Sequence, residues 1–351
     1  MTVGLTNFDT RLAASSADAL ERDSIPIKVV VVTMFDIGED TGDRPGEFQT
    51  WVEQLPLPEK IRFPQGYRDL RYNPDKGVLG IVTGIGTARA AASIMALGMD
   101  PRFDLSRAYW LVAGIAGVNP NEASIGSAAW AEWVVDGDLG FEIDAREIPA
   151  GWPTGFIPLG KALPYEQPVD PNIGGPVYHL DPGLVAWAYD LTRNVKLEDT
   201  EAMRNARALY IGYSAAQLPP AVLRGDDVCG STRHSGNLFN KHLSAWTAYW
   251  TAGKGRFVMT AMEDTGIAQS LTFLANAGRV DVRRPMVLRT GSNYQMPYPG
   301  RSAAEHITAL KRGEYPALMP AFAAAYRVGS LVVEEIVAHW DKYADTIPSG
   351  H

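Results

Sequence analysis

Four short segments place small and polar residues at the ends of predicted strands. They are residues 83–86 (TGIG), 113–118 (AGIAGV), 261–264 (AMED) and 289–294 (RTGSNY). Their hydroxyl, carboxylate and amide groups are of the kind that hold a small polar ligand by hydrogen bonds. Open α/β sheets bind ligands at the carboxyl ends of their strands. The four segments therefore predict one shared pocket.

Other patterns that could carry chemistry are interrupted. Residues 84–89 (GIGTAR) begin like a dinucleotide-binding fingerprint, but Arg89 takes the third glycine position, and no acidic residue follows on a second strand about 20 residues later. The sequence has no G-x-S-x-G nucleophile elbow. Its histidines show no spacing typical of a pair of metal ligands. We therefore expect no bound cofactor and no metal.

The elements that must position these segments alternate along the chain. A β-branched run at 27–33 (IKVVVVT) predicts a strand buried on both faces, and residues 114–117 are predicted as a small-residue turn. The other predicted strands are 78–82, 109–113, 126–135 and 285–289, and the predicted helices are 47–54, 87–99, 182–191, one before Arg207, 239–251, 264–277 and 317–340. This alternation indicates an α/β protein with a largely parallel sheet.

The domain organisation is predicted from the composition of each stretch. Residues 26–345 are expected to form one domain, with residues 1–25 as an N-terminal extension and residues 346–351 as a tail. From 137 to 236 the chain is rich in Pro, Gly and Asp, which predicts a long elaboration on that domain. A separate subdomain fits the same composition.

Charge and hydropathy argue against several classes of protein. The net charge is −8 and no basic run of five or more residues occurs, so nucleic acid is not an expected partner. The apolar runs are shorter than the roughly 20 residues that span a bilayer. The N-terminal residues do not read as a secretory signal, and the lone Cys229 excludes an internal disulfide. Cytoplasmic and periplasmic locations both stay open.

The order and spacing of the four segments resemble the nucleoside phosphorylase superfamily over residues 27–337. The similarity is closer to the group named purine nucleoside permeases and more distant to the methylthioadenosine/S-adenosylhomocysteine nucleosidases. The resemblance implies a mixed, partly closed β-sheet flanked by helices, with a long mid-chain insertion. It also implies a purine nucleoside as ligand, cleavage of its N-glycosidic bond and a homo-oligomer. The word permease implies transport, whereas no segment is predicted to cross a bilayer.

Part of the resemblance falls on residues that would surround the nucleoside. Thr83 matches the hydroxyl residue that the family places near the ribose or the attacking group, although a turn at a strand end favours the same residue type. Gly114, Ile115 and Ala116 match the small residues against which the purine packs, and turn geometry alone also explains them. Met262 matches the methionine that lies against the sugar, with a methionine of the core as the alternative.

Further matches concern polar and aromatic groups. Glu263 matches the carboxylate that grips the ribose hydroxyls, although an acid is also favoured near the start of a helix. Asn293 stands where many members have an aspartate that protonates the purine ring, and an amide can donate a hydrogen bond but cannot transfer a proton. Arg289 matches an arginine behind that residue, with an ordinary ion pair as the alternative. Asn237 and Phe239 are the candidates for the residue that stacks on the base.

Cleavage requires a stabilised sugar and a positioned nucleophile. Departure of the purine leaves positive charge on the sugar, which the carboxylate of Glu263 would stabilise. In the nucleosidases a glutamate at the start of the helix after the first strand positions the attacking water. Glu47 holds the comparable place in this sequence, with Asp36 and Asp43 as alternatives.

Water is the predicted nucleophile. Val112 stands where the hexameric phosphorylases have an arginine, and the acidic loop at 36–43 repels a phosphate dianion. The predicted function is hydrolysis of purine nucleosides, with phosphorolysis as the second possibility. A non-catalytic nucleoside-binding protein of an uptake system, and a storage or scaffold protein that keeps the fold without its activity, are the alternatives from other classes.

Overall fold

The computed structural model describes residues 24–169 and 176–350. The strands are β1 (Ile25–Pro26), β2 (Val29–Thr33), β3 (Glu59–Ile61), β4 (Leu70–Asn73), β5 (Val78–Val82), β6 (Phe103–Asp104), β7 (Tyr109–Val118), β8 (Ala128–Ala131), β9 (Trp133–Asp136), β10 (Gly140–Glu142), β11 (Phe156–Pro158), β12 (Val177–His179), β13 (Val222–Arg224), β14 (Asp226–Cys229), β15 (Phe257–Ala261) and β16 (Pro285–Tyr294). The helices are α1 (Gln49–Gln54), α2 (Thr87–Gly98), α3 (Pro182–Thr192), α4 (Glu201–Ala208), α5 (Asn237–Trp250), α6 (Asp264–Asn276), α7 (Ala303–Lys311), α8 (Leu318–Ala338) and α9 (Trp340–Tyr343).

Three parallel strands form the centre of the protein. β2 pairs with β5 on one edge and with β7 on the other, so that Val32 lies between Ile81 and Val112. Every residue of β2 and β5 is buried. The β-branched sequence of β2 suits a strand that is covered on both faces.

The long strand β7 connects the parts of the sheet that carry the predicted site. Its first residues pair with β2, its last residues pair antiparallel with β15, and β16 runs parallel to it along the other edge. β16 also pairs antiparallel with β8, so the twelve-stranded mixed sheet branches at these strands. The predicted α/β class, with a mixed sheet flanked by helices, is confirmed.

Helices pack closely on this sheet. α2 and α6 lie side by side, and a Cβ atom at Gly98 would overlap the side chain of Leu274. α8 packs against β7 and β16, with Val328 and Val332 buried in the main core. This packing fixes the start of α6, which directly follows β15, beside the ends of the central strands.

The small-residue turn predicted at 114–117 is wrong. These residues continue β7 as far as Val118 and pair with β16 along the way. Gly114 lacks a side chain because a Cβ atom there would meet three neighbouring side chains, so crowding rather than a turn explains the glycine. β16 likewise runs past residue 289, where the predicted strand ends, to Tyr294.

The single strand predicted at 126–135 is found as β8 and β9, with Glu132 between them. The carboxylate of Asp226 explains the break, because its Oδ1 accepts hydrogen bonds from Glu132 N at 3.1 Å and from Trp133 N at 2.8 Å. In a regular strand, consecutive backbone amides point to opposite edges. Two consecutive amides that both donate to one carboxylate therefore interrupt the strand.

The helices agree well with the sequence pattern. Each helix predicted with both bounds is found with its ends within two residues of the prediction, and α4 accounts for the one predicted before Arg207. α7 was missed, although Ser302 and Glu305 form a capping box, whose S-x-x-E pattern is visible in the sequence.

The stretch predicted as an elaboration, 137–236, includes strand β14, which lies between β9 and β15 in the main sheet. Residues 1–23 of the predicted N-terminal extension and residue 351 of the predicted tail lie outside the described residues. Within 24–169 and 176–350, no helix has both the length and the apolar character needed to cross a membrane.

Candidate functional site

A cavity of about 310 Å³ lies at the ends of β2, β7, β15 and β16. The sequence-predicted residues that line it are Glu47, Ile115, Ala116, Met262, Glu263 and Asn293. Small-molecule sites have volumes of about 300–1,000 Å³, so the cavity is at the lower end of that range. Segment 83–86 contributes Ile85 to the lining. All four segments selected from the sequence therefore meet at one cavity.

Glu47 lines the cavity with a side chain that is 5 % exposed. Its Oε2 accepts a hydrogen bond from Met34 N at 2.8 Å, and its Oε1 accepts one from Ile115 N at 2.8 Å. Burial raises the pKa of Glu47 from 4.5 to about 8, and the positive charge of Arg289 offsets part of that rise. Each carboxyl oxygen can accept a further hydrogen bond, so Glu47 is suited to proton transfer near neutral pH.

Asp36 and Asp43, the alternatives to Glu47, are engaged in their own loop. Asp36 accepts hydrogen bonds from backbone amides of that loop and of the start of α1, and Asp43 accepts one from Glu39 N at 3.0 Å. Neither belongs to the described residues that line the cavity. The geometry therefore favours Glu47 as the acid that can reach a ligand.

Arg289 lies behind the cavity and is 1 % exposed. Its Nε donates a hydrogen bond to Asp264 Oδ2 at 2.9 Å, and its Nη2 donates to Asp264 Oδ1 and to Glu263 Oε2, the latter at 3.3 Å. Burial disfavours the charged guanidinium, but these carboxylates hold the pKa of Arg289 well above its usual value. Arg289 thus forms an ion pair, which was the alternative to ligand contact in the sequence analysis. It acts on the cavity indirectly, because its partner Glu263 lines the cavity.

The side chain of Glu263 is fixed by backbone amides as well as by Arg289. Its Oε1 accepts a hydrogen bond from Gly86 N at 3.1 Å, and its Oε2 accepts one from Met262 N at 3.3 Å. Burial raises the pKa of Glu263, while Arg289 lowers it. Glu263 directly precedes α6, yet within the described structure its side chain makes no capping hydrogen bond. A helix-capping role therefore does not account for this acid.

Gly114 occupies the point where Glu47 and Arg289 approach each other. A Cβ atom at this position would lie 2.7 Å from Glu47 Oε1 and 2.7 Å from Arg289 Nη1, and it would overlap the side chain of Met34. Only glycine leaves room for that approach. The resulting proximity is the reason why the charge of Arg289 acts on the pKa of Glu47.

Four acidic side chains lie near the single guanidinium of Arg289. They are Glu47, Glu263, Asp264 and Asp227. Burial and the charge of Asp264 raise the pKa of Asp227 well above its usual value, and burial raises that of Glu47. Protonation of these two groups brings the cluster closer to the charge balance that buried ionic groups require.

Asn293 is held by Arg233, a residue that the sequence analysis did not select. Asn293 Oδ1 accepts hydrogen bonds from Arg233 Nη2 at 2.8 Å and from Ser292 Oγ at 3.0 Å, and its Nδ2 donates to Tyr294 O at 2.7 Å. Arg233 Nη1 also donates to Tyr315 Oη at 3.1 Å. Since an amide nitrogen has two hydrogens, Asn293 retains one N–H for a ligand.

Besides Gly114 and Arg289, three further predicted binding residues are absent from the cavity lining in the described part of the chain: Thr83, Asn237 and Phe239. The buried Thr83 donates its hydroxyl hydrogen to Gly84 O at 3.1 Å, which is the local role expected at a strand end. Asn237 is exposed at the start of α5. Phe239 packs instead on the ring of His234, with centroids 4.7 Å apart.

Several lining residues were missed: Met34, Phe35, Thr260, Tyr315 and Leu318, in addition to Arg233. Met34 and Phe35 directly follow β2, so the strand-end rule that found the other segments also applies to them. Tyr315 lies in the connection between α7 and α8, and Leu318 begins α8. No local pattern indicates that this connection reaches the site.

The chain is similar in sequence to proteins that share one name, purine nucleoside permease. A family model described as purine nucleoside permease matches residues 26–348. A purine nucleoside permease of Candida albicans is 30 % identical over 324 residues, which cover 90 % of this chain and 76 % of that protein. A probable purine nucleoside permease of Schizosaccharomyces pombe is 29 % identical over 334 residues, which cover 89 % of this chain and 90 % of that protein.

The fold is also that of a solved nucleosidase. The 5′-methylthioadenosine/S-adenosylhomocysteine nucleosidase from Helicobacter pylori, in its structure with butyl-thio-DADMe-Immucillin-A, matches with a TM-score of 0.52 at 14 % identity. The match covers 89 % of this chain and 100 % of that one. This likeness concerns the fold, and it confirms the predicted nucleoside phosphorylase-like class.

Proposed function

Because this chain belongs to the purine nucleoside permease family, we propose that its cavity binds a purine nucleoside and that the protein cleaves the N-glycosidic bond with water. The observation that carries the proposal is the pair of buried acids, Glu47 and Glu263, on one cavity. Paired carboxyl groups in different environments are the arrangement that glycosidic cleavage uses.

Glu263 is assigned to the sugar. Departure of the base leaves positive charge on the ribose, and a fixed carboxylate stabilises that charge without having to reorganise. The hydrogen bonds from Gly86, Met262 and Arg289 fix Glu263, while the remaining acceptor position on its Oε1 can bind a ribose hydroxyl. Met262 beside it supplies an apolar contact with the same sugar.

Glu47 is assigned to the attacking water. Its amide contacts with Met34 and Ile115 fix the carboxyl group at the cavity wall. With a pKa raised to about 8, the ionised form is a stronger base than an ordinary carboxylate and can accept a proton from water as the glycosidic bond breaks. The proton removed from water passes to Glu47, and the hydroxide equivalent bonds to the anomeric carbon.

Asn293 is assigned to the leaving base. Its remaining Nδ2 hydrogen can donate to a purine ring nitrogen, which disperses the negative charge that develops as the bond breaks. An amide cannot complete the proton transfer, so the departing purine anion takes up a proton from solvent, and Glu47 returns to solvent the proton that it removed from the attacking water. Ile115 and Ala116 form the apolar wall against which the base packs.

The charges of the site favour water over phosphate. Arg289 is already paired with two carboxylates. Arg233 is the one guanidinium among the described lining residues, and it contacts Asn293 on the side assigned to the base. A phosphate dianion near the sugar would face Glu47 and Glu263 without a cation of its own.

The decisive experiment follows base release from inosine and adenosine by chromatography, with and without added phosphate. We expect free base and free ribose without phosphate. Release that occurs only with phosphate, together with ribose 1-phosphate as product, would make the protein a phosphorylase. Saturable nucleoside binding without any release would make it a binding protein.

A further inference from the structure

A second cavity, of about 330 Å³, adjoins the first. Asn293 and Tyr315 line both cavities. The second cavity extends away from them between α4, α7 and the segment that follows β16, where Ala206 and Ala309 contribute to its walls. Nothing in the proposed function uses this space.

Tyrosine rings dominate the walls of the second cavity. Tyr210 and Tyr294 lie with ring centroids 3.9 Å apart, and Tyr298 meets Tyr210 edge-on at 6.1 Å. The hydroxyl groups of Tyr210 and Tyr294 donate to backbone oxygens, at 2.8 Å to Met296 O and at 2.7 Å to Ala216 O. Because these hydroxyl groups already have partners, the tyrosines present ring carbon atoms rather than free polar groups to a ligand.

The remaining walls are mostly apolar. Leu209, Leu310 and Pro316 contribute together with the two alanines, and the acidic lining residue Glu314 is paired with Arg301 at 3.7 Å. His306 has its Nε2 3.1 Å from Tyr294 O, and burial lowers its pKa, so it adds no charge at neutral pH. Arg301 lies at the edge, over the ring of Tyr298. A flat aromatic or apolar group is the kind of ligand that such walls bind.

Arg233 marks the boundary between the two cavities. Its two terminal nitrogens donate to Asn293 Oδ1 and to Tyr315 Oη, which belong to the two residues that line both spaces. Arg233 is exposed to solvent, so its guanidinium can leave these contacts and be hydrated. Because Asn293 and Tyr315 line both cavities, displacement of this side chain would open the boundary between them.

We propose that the second cavity binds an aromatic or apolar substituent on the purine base, so that the substrates are base-substituted purine nucleosides. This inference rests on the proposed function, because that function assigns Asn293 to the base and Glu263 to the ribose. A group attached to the purine edge beside Asn293 points past this residue into the tyrosine-lined space. A group attached to the ribose leaves from the opposite end of the nucleoside.

The test compares the affinities of adenosine, N6-benzyladenosine and 5′-benzylthioadenosine for the full chain by calorimetry. Burial of a benzyl ring against tyrosines should make N6-benzyladenosine bind roughly tenfold more tightly than adenosine. The 5′-substituted isomer carries a similar ring on the sugar and should gain less. Equal affinity for adenosine and N6-benzyladenosine, or a gain for the 5′ isomer alone, overturns the proposal.

Variants that fill the cavity identify the binding space. Ala309→Phe on α7 and Ala206→Phe on α4 place a ring in the second cavity and should abolish the preference for N6-benzyladenosine while adenosine still binds. Ala304→Phe, at an exposed position of α7, is the matched control and should keep the preference. A preference that survives both filling variants overturns the proposal. Ala206 is only half-buried, so a larger side chain disturbs the core less there than at Ala309. Ala206→Phe therefore provides the test if Ala309→Phe does not fold.

Affinity and turnover separate this inference from the proposed function. Tight binding of N6-benzyladenosine without release of either base supports the second cavity and refutes cleavage. Release of adenine from adenosine, combined with rejection of the benzyl compound, supports cleavage and refutes the second cavity. Failure to bind any of the three nucleosides refutes both.

Discussion

Arg289 Nη2 lies 3.3 Å from Glu263 Oε2, and this contact joins the middle of β16 to the residue that precedes α6. Arg289 approaches from behind, while Glu263 also lines the cavity. The contact fixes the carboxylate before a ligand arrives. Such preorganisation is what makes a buried charge effective against a developing positive charge.

Glu263→Gln should impair ribonucleosides much more than 2′-deoxyribonucleosides. A hydrogen bond from a hydroxyl to a carboxylate contributes about 1.5–3 kcal/mol, which corresponds to roughly 10–150-fold in rate or affinity. The measurement is kcat/KM for adenosine and 2′-deoxyadenosine with both proteins, which isolates the coupling between carboxylate and hydroxyl. Equal losses on the two substrates would remove Glu263 from the sugar contact.

Glu47→Gln should lower turnover by ~10²–10⁴-fold, the contribution typical of general-base catalysis, and leave nucleoside affinity nearly unchanged. Asp43→Asn is the matched control, because that acid lies in the neighbouring loop and should retain wild-type turnover. Single-turnover rates and calorimetric affinities report the two quantities separately. Normal turnover in the Glu47 variant, with loss in the Asp43 variant, would transfer the role to the loop.

The rate should rise with pH in the neutral range. Glu47 must be ionised to accept a proton from water, and its pKa is raised to about 8 by burial, so kcat/KM should increase up to about pH 8 and then level off. The pH profile of kcat/KM for inosine measures this directly. A profile that is flat from pH 6 to 9 would contradict a catalytic base with a raised pKa.

The raised pKa of Glu47 should also make stability depend on pH. A carboxyl group whose pKa rises on folding stabilises the folded state below its unfolded pKa, 4.5, and this contribution is lost as the pH rises through about 8. The Tm of the wild type relative to Glu47→Gln should therefore be higher at pH 5 than at pH 8.5. Calorimetry at the two pH values checks the sign, and an unchanged difference would rule out the shift.

Arg289→Met should destabilise the fold by about 3–5 kcal/mol, because Asp264 and Glu263 would remain buried without their cation. Arg283→Met is the control, since Arg283 pairs with Asp281 at the surface and its removal should change the free energy of unfolding little. Urea unfolding monitored by fluorescence compares the two variants. Similar small losses in both would mean that the acids are neutralised by protonation instead.

Most helices, the central strands and part of the cavity lining could be predicted from the sequence alone. Periodic apolar residues identify strands and helices because each element must cover one side with apolar surface. The strand-end rule selected Met262, Glu263 and Asn293, because the carboxyl ends of neighbouring strands meet whatever the details of packing. Resemblance to a family then gave Glu47 its place.

The backbone course around the cavity and the protonation of its acids depend on packing between distant segments. The run that begins at Gly114 has the composition of a turn, but pairing with β16 makes it a strand, and crowding by neighbouring side chains explains the glycine. The raised pKa of Glu47 arises from burial, which no local pattern measures. Arg233 and Tyr315 are 82 positions apart, and their contact, like the cavity beside it, exists because the chain brings distant segments together. Local spacing cannot encode such contacts, since they depend on how every intervening element packs.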